Sequence, residues 1–395
     1  MSRTQSAHIG IIGAGIGGLT LALALQRTGH RFTILEQAPE LREVGAGLGL
    51  WCNATRLLDR LGVGDDIRAL AVPVARGQFT SHDGRVLMDI DMRHLQGDIP
   101  GSSYIMHRAD LHGALAKHVD PASIRLNARC DKIRVADSSV ILHHAGGEEV
   151  FDAIVGADGL NSVVRAALHG DRPPRYAGET LWRGVAPMAY RDWQMVREIS
   201  GPGRRVGICP LGPERIYWWA TEQLPANTVI PTAERKAHVS KLFRDWAFEL
   251  PALLEATPAD GFLQNDAVDR LPLRPWGRGP VTLLGDAAHP TTPNLGQGAC
   301  MAIEDAWVLA QQLVAHDDIG SAFRAYEAAR YDRVEWMVRT SYQHGKLGQW
   351  KRPWAMSLRE RMLRATPMSF MRRLWHKQLG YEPGPLQNDS KVIPA

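Results

Sequence analysis

The chain has 395 residues, more than one core usually holds, so two intertwined domains with a terminal extension are expected. Its composition, 45% hydrophobic and 22% charged, is that of an ordinary soluble enzyme. The formal charge of +4 is local, because residues 346–395 carry ten Lys/Arg against three Asp/Glu, and this speaks against nucleic acid as a partner.

Residues 9–36 read IGIIGAGIGGLTLALALQRTGHRFTILE: an apolar strand, a glycine-rich turn, a helix, and a second apolar strand that closes on an acid. Gly13, Gly15 and Gly18 stand in G-x-G-x-x-G register, which suits a tight turn, close approach of a pyrophosphate, and packing of helix on strand. Glu36 is placed to accept hydrogen bonds from ribose hydroxyls. The uncharged run at 9–25 also fits a signal peptide or a membrane span, but its five glycines argue against both.

Next, residues 41–62 read as a glycine-rich loop entering a short helix, with Arg42 and Asn53 as polar groups beside it. A hairpin is expected at 78–91 and a helix at 107–119, with Leu111, Leu115 and Val119 on one face. Strand-like runs at 124–127, 132–136 and 140–143 suggest a small β-meander, and 151–159 a buried strand followed by a helix at 161–168. Tryptophan-bearing strands follow at 181–187, 205–209 and 216–221, then a helix at 232–248, a buried strand at 281–285 and a long helix from 298 to 313. Cys52, Cys130, Cys209 and Cys300 lie far apart with no CxxC pairing, so neither a metal site nor a disulfide framework is expected, which suits the cytoplasm.

Two further motifs accompany the first: Gly156-Ala157-Asp158-Gly159 with Asn161, Ser162 and Arg165, and Gly285-Asp286-Ala287-Ala288-His289-Pro290 with the loop from Pro293 to Gly298. The ordered triple resembles the FAD-dependent group A aromatic hydroxylases, the family of salicylate hydroxylase, urate hydroxylase and zeaxanthin epoxidase. The resemblance implies an α/β fold: a Rossmann-like FAD-binding domain of the p-hydroxybenzoate hydroxylase type, an inserted β-sheet substrate domain and a C-terminal helical segment. The corresponding division is FAD-binding at 1–75, 98–175 and 271–345, substrate domain at 76–97 and 176–270, and a helical extension at 346–395.

By the same resemblance, Asp286 bonds the ribitol chain of bound FAD, and Gly296 and Gly298 bring backbone N–H groups to the isoalloxazine. Asp158 serves both FAD and the nicotinamide cofactor, and Arg42 and Arg108 are candidate partners for the ring and the pyrophosphate. No second glycine-rich strand-turn-helix occurs, so NADH or NADPH is expected as a transient reductant. With O2 the implied oxidant is a C4a-hydroperoxyflavin, which leaves the protein to exclude water and orient a small aromatic or heteroaromatic substrate. His289 beside the GD motif is read as helix-start packing.

For that substrate the expected pocket residues are Trp182, Arg183, Cys209, Trp219, Pro293 and Asn294. Tyr217 and Trp219 share one strand face and Trp218 the other. Arg205 and Tyr217 look like the arginine and tyrosine with which urate hydroxylase holds and activates its substrate. A guanidinium over the pocket lowers the pKa of an acidic NH or OH. The alternative for Arg205 is a plain pairing with a carboxylate. Residues 350–379 alternate apolar residues with arginines; helices packed over the flavin domain or at a dimer contact are favoured over a membrane-surface helix, and a monomer or a homodimer is expected. The competing functions are a flavin-dependent epoxidase or reductase of an isoprenoid or polyene and, in another class, a flavin-binding redox sensor without turnover.

Overall fold

The structure is a computed structural model and describes residues 3–41, 45–97, 99–136, 139–144 and 146–386. Its centre is a fully parallel sheet in the order Val281–Leu283, Ala153–Gly156, His8–Ile12, Arg31–Leu35, Ile124–Arg125. These strands are short continuous apolar runs because both faces are covered, as parallel sheets require. The helices Ile16–Thr28 and Gly298–Ala315 pack against each other beside it. Each glycine motif of the sequence follows one of three adjacent strands, so all three emerge at the same carboxyl edge.

A second sheet runs Leu263–Asp269, Arg175–Pro187, Arg215–Glu222, Arg204–Pro210, Met195–Gly201, Arg76–Ser81, Val86–Asp91. One face is buried under the helices Thr232–Leu242 and Leu250–Ala256, with Trp182, Val206, Ile208 and Trp218 packed on Phe243, Leu253 and Phe262. The opposite face presents Val185, Cys209, Tyr217 and Trp219 to Ala46, Trp51 and Ile105. That face looks toward the small antiparallel sheet that contains Gly47–Leu50 and Tyr104–His107.

Several expected elements shift. Residues Gly47–Leu50 form a strand paired with Tyr104–His107 rather than a loop. Ile124–Arg125 joins the parallel sheet, and the meander is built from Cys130–Val135, Val140–His144 and Gly147–Phe151. The helix expected to reach 248 ends at Leu242, and Phe248 has a positive φ of 65°. The strands Met195–Gly201 and Leu263–Asp269 were not anticipated; the latter is a polar edge strand without an apolar alternation to betray it.

After the long helix Ile319–Gly348 come Pro353–Ala365 and Met368–Leu379, each opened by a proline at its start or cap. The first lies along Val86–Asp91 and the second along Met92–Gln96 and Cys52–Arg60. Among the described residues no helix is long and apolar enough to cross a membrane.

Candidate functional site

A cavity of about 550 Å³ opens at the shared carboxyl edge, and all three motifs line it. Gly13 turns there with φ 102°, its N–H donating to the Leu35 carbonyl at 2.8 Å. A Cβ on Gly18 would fall inside the Gly13 carbonyl oxygen, so only glycine lets the helix sit this close to the turn. Gly18 therefore shapes the cavity without lining it, whereas Gly15, Ile16 and Gly17 do line it. No side chain caps the helix at Gly15, which leaves its first N–H groups and positive dipole end for an anion.

Glu36 forms the neighbouring wall, one carboxylate oxygen accepting from Ala14 N and the other from Ala38 N, both at 2.8 Å. These bonds fix the group and leave acceptor capacity for hydroxyls. From the second motif, Asp158 Oδ2 caps the helix Val163–His169 by accepting from Val163 N at 2.8 Å and Val164 N at 3.2 Å. Its Oδ1 is buried with no hydrogen-bond partner among the described residues, and burial pushes the carboxyl pKa up. Asp286, in the turn Gly285–Ala287, is exposed to the cavity from the third side.

Arg108 opens the helix Arg108–Ala116 and lines the cavity. So do Arg129 and Gln37, which sequence reasoning passed over; a second arginine next to the meander was its available signal. Arg42 lies outside the described residues. An uncapped helix end, a hydroxyl acceptor, two arginines and an unpartnered buried carboxylate oxygen suit a flavin dinucleotide, whose diphosphate and polyol need those groups.

Gly298 starts the long helix and lines the cavity with Ala299 and Ala302. Before it, Gly296 adopts φ 61°, and its carbonyl accepts from Trp51 Nε1 at 3.1 Å. Trp51 is a second residue missed by sequence reasoning; it ties this loop to Trp375 through an edge-on ring contact at 5.6 Å. Asn53 donates to Gln297 at 3.0 Å and to Glu304 at 2.6 Å, all three buried. His289 is buried and meets Asp305 at 2.6 Å; burial alone would raise the Asp305 carboxyl, but His289 and Arg330 reverse this and hold it at about 2. His289 is thus structural, though through a buried pair with Asp305 inside the helix Gly298–Ala315 rather than through packing at a helix start.

On the sheet, strand parity sorts the expected pocket residues. Tyr217, Trp219, Cys209, Arg183 and Arg205 occupy the face opposite the helices; Tyr217 lies so close under Gly47 that a Cβ there would meet its ring at 2.5 Å. Trp182 is not brought to this face. It sits in the opposite core, fully buried, with Nε1 donating to Glu222 at 3.1 Å, because position 182 is one residue out of phase with Arg183 and Val185. Arg183 itself bonds Asn265 at 2.6 Å.

Arg205 is 1% exposed and carries a cluster of its own. It donates to Asn294, stands 3.6 Å from Glu179 and 3.5 Å from Glu198, and lies 5.6 Å from the Trp219 ring centre. Pro293 begins the turn that carries Asn294, and Asn294 is held by Thr292 at 3.0 Å and the Ser341 carbonyl at 3.1 Å. The carboxylate pairing weighed for Arg205 is present, yet its Nε and Nη1 hold no hydrogen bond among the described residues.

The chain matches the FAD binding domain family over residues 6–341. It is 37% identical to aurachin C monooxygenase/isomerase of Stigmatella aurantiaca over 90% of this chain and 93% of that protein. It is 33% identical to 2-heptyl-3-hydroxy-4(1H)-quinolone synthase of Pseudomonas aeruginosa strain UCBPP-PA14, over 93% and 96% of the two chains. The crystal structure of Klebsiella pneumoniae HpxO with FAD and uric acid superposes with a TM-score of 0.88 at 27% identity, covering 97% of this chain and 98% of that one. With the three-motif cavity on one sheet edge and relatives of this kind along nearly its whole length, the chain belongs to the group A FAD-dependent monooxygenases, flavoprotein hydroxylases that use NAD(P)H and O2.

Proposed function

We propose that this enzyme hydroxylates a nitrogen heteroaromatic ring bearing an apolar substituent, of the 4(1H)-quinolone kind that the Pseudomonas relative is named for. The observation that carries this reading is the apolar sheet face opposite the helices Thr232–Leu242 and Leu250–Ala256. Phe79, Met88, Ile90, Val196 and Cys209 run on into Leu95, Met371 and Trp375, and charge is concentrated at Arg205 and Arg183. An alkyl chain gains about 0.8 kcal/mol for each CH2 buried on such a wall, whereas a small polar ring would leave its own hydrogen-bonding groups unmatched there.

In this reading Gly13, Gly15, Glu36 and Arg108 would hold the AMP and diphosphate end of FAD, with Gly18 keeping the turn tight, and Asp158 and Asp286 would bond its middle. Gly296 and Gly298 would offer backbone N–H groups to the ring, and Arg42 is assigned on sequence alone. When bound, FAD supplies the hydride acceptor for NAD(P)H and the centre at which O2 is activated. The protein's share is orientation and charge. Arg205 sets its charge beside Asn294 and the Trp219 ring, which favours negative charge on a ring oxygen or nitrogen and so enriches the ring carbon to be hydroxylated. Tyr217, opposite Cys209 on the same face and nearer Arg183 than Arg205, keeps its hydroxyl protonated through burial and can donate a hydrogen bond. Cys209, Trp219, Pro293 and Asn294 complete the wall that excludes water.

We assign 76–97 and 176–270 to the substrate domain and the cytoplasm as the compartment; four free cysteines are at home in its reducing conditions. The test is NAD(P)H oxidation, O2 uptake and product mass for purified holoprotein given 2-heptyl-4(1H)-quinolone, urate or 6-hydroxynicotinate. The quinolone should stimulate oxidation and gain one oxygen atom. Stimulation by urate or hydroxynicotinate with none by the quinolone would overturn the assignment.

A further inference from the structure

We propose that the outer face of the C-terminal helix pair is a docking surface for an anionic lipid bilayer. The helices pack on the protein as favoured from sequence, and the side chains on their outer face remain exposed. Trp354 is 64% exposed, Leu358 43%, Met362 51%, Met368 38% and Phe370 59%. A four-residue spacing lines Trp354, Leu358 and Met362 along one stripe, while Ala355, Arg359 and Glu360 on the other side are buried. Thr366 and Pro367 join the two helices, which brings Met368 and Phe370 to the end where Met362 stands. Other exposed large apolar residues of the described chain are scattered singly, as on any protein surface.

Charge identifies the occupant. Lys351, Arg352, Arg361, Arg364 and Arg373 are exposed along the same two helices, while Arg372 and Lys377, also exposed, reach back to His94 and to the Trp336 ring. The single acid of this stretch, Glu360, is buried and paired with Arg85 at 3.1 Å. Aromatic and thioether side chains ringed by arginines match the boundary between acidic headgroups and acyl chains. A second copy of the chain across a two-fold axis would instead set this basic face against itself. The inner side of the same pair is structural: Arg359 bonds the carbonyls of Leu347 and Gly201, both at 3.3 Å, and Met371 and Trp375 pack beside Trp51. Docking here would therefore place the apolar wall of the substrate side next to the lipid. The surface does not depend on the quinolone assignment, because lipid binding is measured without turnover.

The experiment is co-sedimentation of FAD-loaded protein with vesicles of phosphatidylcholine alone and of equal parts phosphatidylcholine and phosphatidylglycerol. Wild type should pellet with the acidic vesicles, stay in solution with the neutral ones, and be released by salt. The double variant Trp354→Ser/Phe370→Ser should lower partitioning on the order of tenfold to a hundredfold, with FAD content and thermal midpoint kept. Val150→Ser, at an apolar site 63% exposed elsewhere, should change nothing. Wild type that stays in solution with both vesicle types overturns the proposal. So does a dimer in sedimentation velocity that the double variant abolishes while lipid binding is unaffected.

Discussion

Replacing Arg205 with Met should convert a buried ion cluster into a buried, uncompensated carboxylate. Arg205 and Glu179 are each 1% exposed and stand 3.6 Å apart, with Glu198 at 3.5 Å on the other side of the guanidinium. Opposite charges about 4 Å apart attract by about 4 kcal/mol at an effective dielectric of about 20, and removing one member of a buried pair costs about 3–5 kcal/mol. Arg205→Met should thus lose stability in that range at neutral pH, and the double variant Arg205→Met/Glu179→Gln should recover most of it. The pH dependence is a second signature. Burial pushes the Glu179 carboxyl up and Arg205 pulls it back, so without Arg205 it rises further. A carboxyl with a folded pKa above its unfolded value of about 4.3 destabilises at higher pH, and the penalty disappears below that value. Urea unfolding of wild type, Arg205→Met, Glu179→Gln and the double variant, followed by tryptophan fluorescence at neutral and mildly acidic pH, reads both effects. A deficit equal at the two pH values, with the double variant simply additive, would refute the ion-pair account. Where the double variant folds well, its peroxide release shows whether Arg205 also acts on substrate; unchanged coupling would remove it from the chemistry.

Gly18→Val should yield protein without flavin, because a side chain there collides with the Gly13 carbonyl; stoichiometric FAD in the purified variant would contradict the turn geometry. The Asp305 carboxyl, held at about 2 against burial by His289 and Arg330, should contribute stability above about pH 4 that drains away as pH falls toward 2, and Asp305→Asn should flatten that part of the pH–stability curve. Trp375→Ala removes the edge-on partner of Trp51, a contact worth about 0.5–1.5 kcal/mol, and should raise hydrogen peroxide release per NAD(P)H consumed; unaltered coupling would show that the C-terminal helix does not seal the site. Burial pushes the thiols of Cys130, Cys209 and Cys300 up to about 12, so iodoacetamide at mildly alkaline pH should leave them unmodified in native protein, as mass spectrometry would show.

The nucleotide half was legible because each of its motifs is local: a strand, a turn and a helix start within a few residues, and parallel sheet topology then gathers them. What escaped depended on partners far along the chain. Gly47–Leu50 reads as a loop because glycines alternate with leucines, yet the strand exists through its pairing with Tyr104–His107, and Gly47 is needed for the close approach to Tyr217. Trp182 was grouped with Trp219 by residue type, but the register that pairs Arg183 with Trp219 puts Trp182 on the other face. The partners of Arg205 come from Glu179, Glu198 and the loop bearing Asn294, and no spacing rule announces such a cluster.

The order of strands in the parallel sheet also bears on how the enzyme is made. The strand at His8–Ile12 lies beside Ala153–Gly156, which in turn waits for Val281–Leu283. On the ribosome the first glycine turn therefore emerges long before its two companions, and at about 5–20 residues per second the third motif follows only after roughly 15–50 s. Until then a nascent chain exposes apolar strand edges and has no complete pocket to capture flavin. Cofactor loading is thus a late event in synthesis, and a chain that stops short of Gly285 lacks the third wall of the cavity.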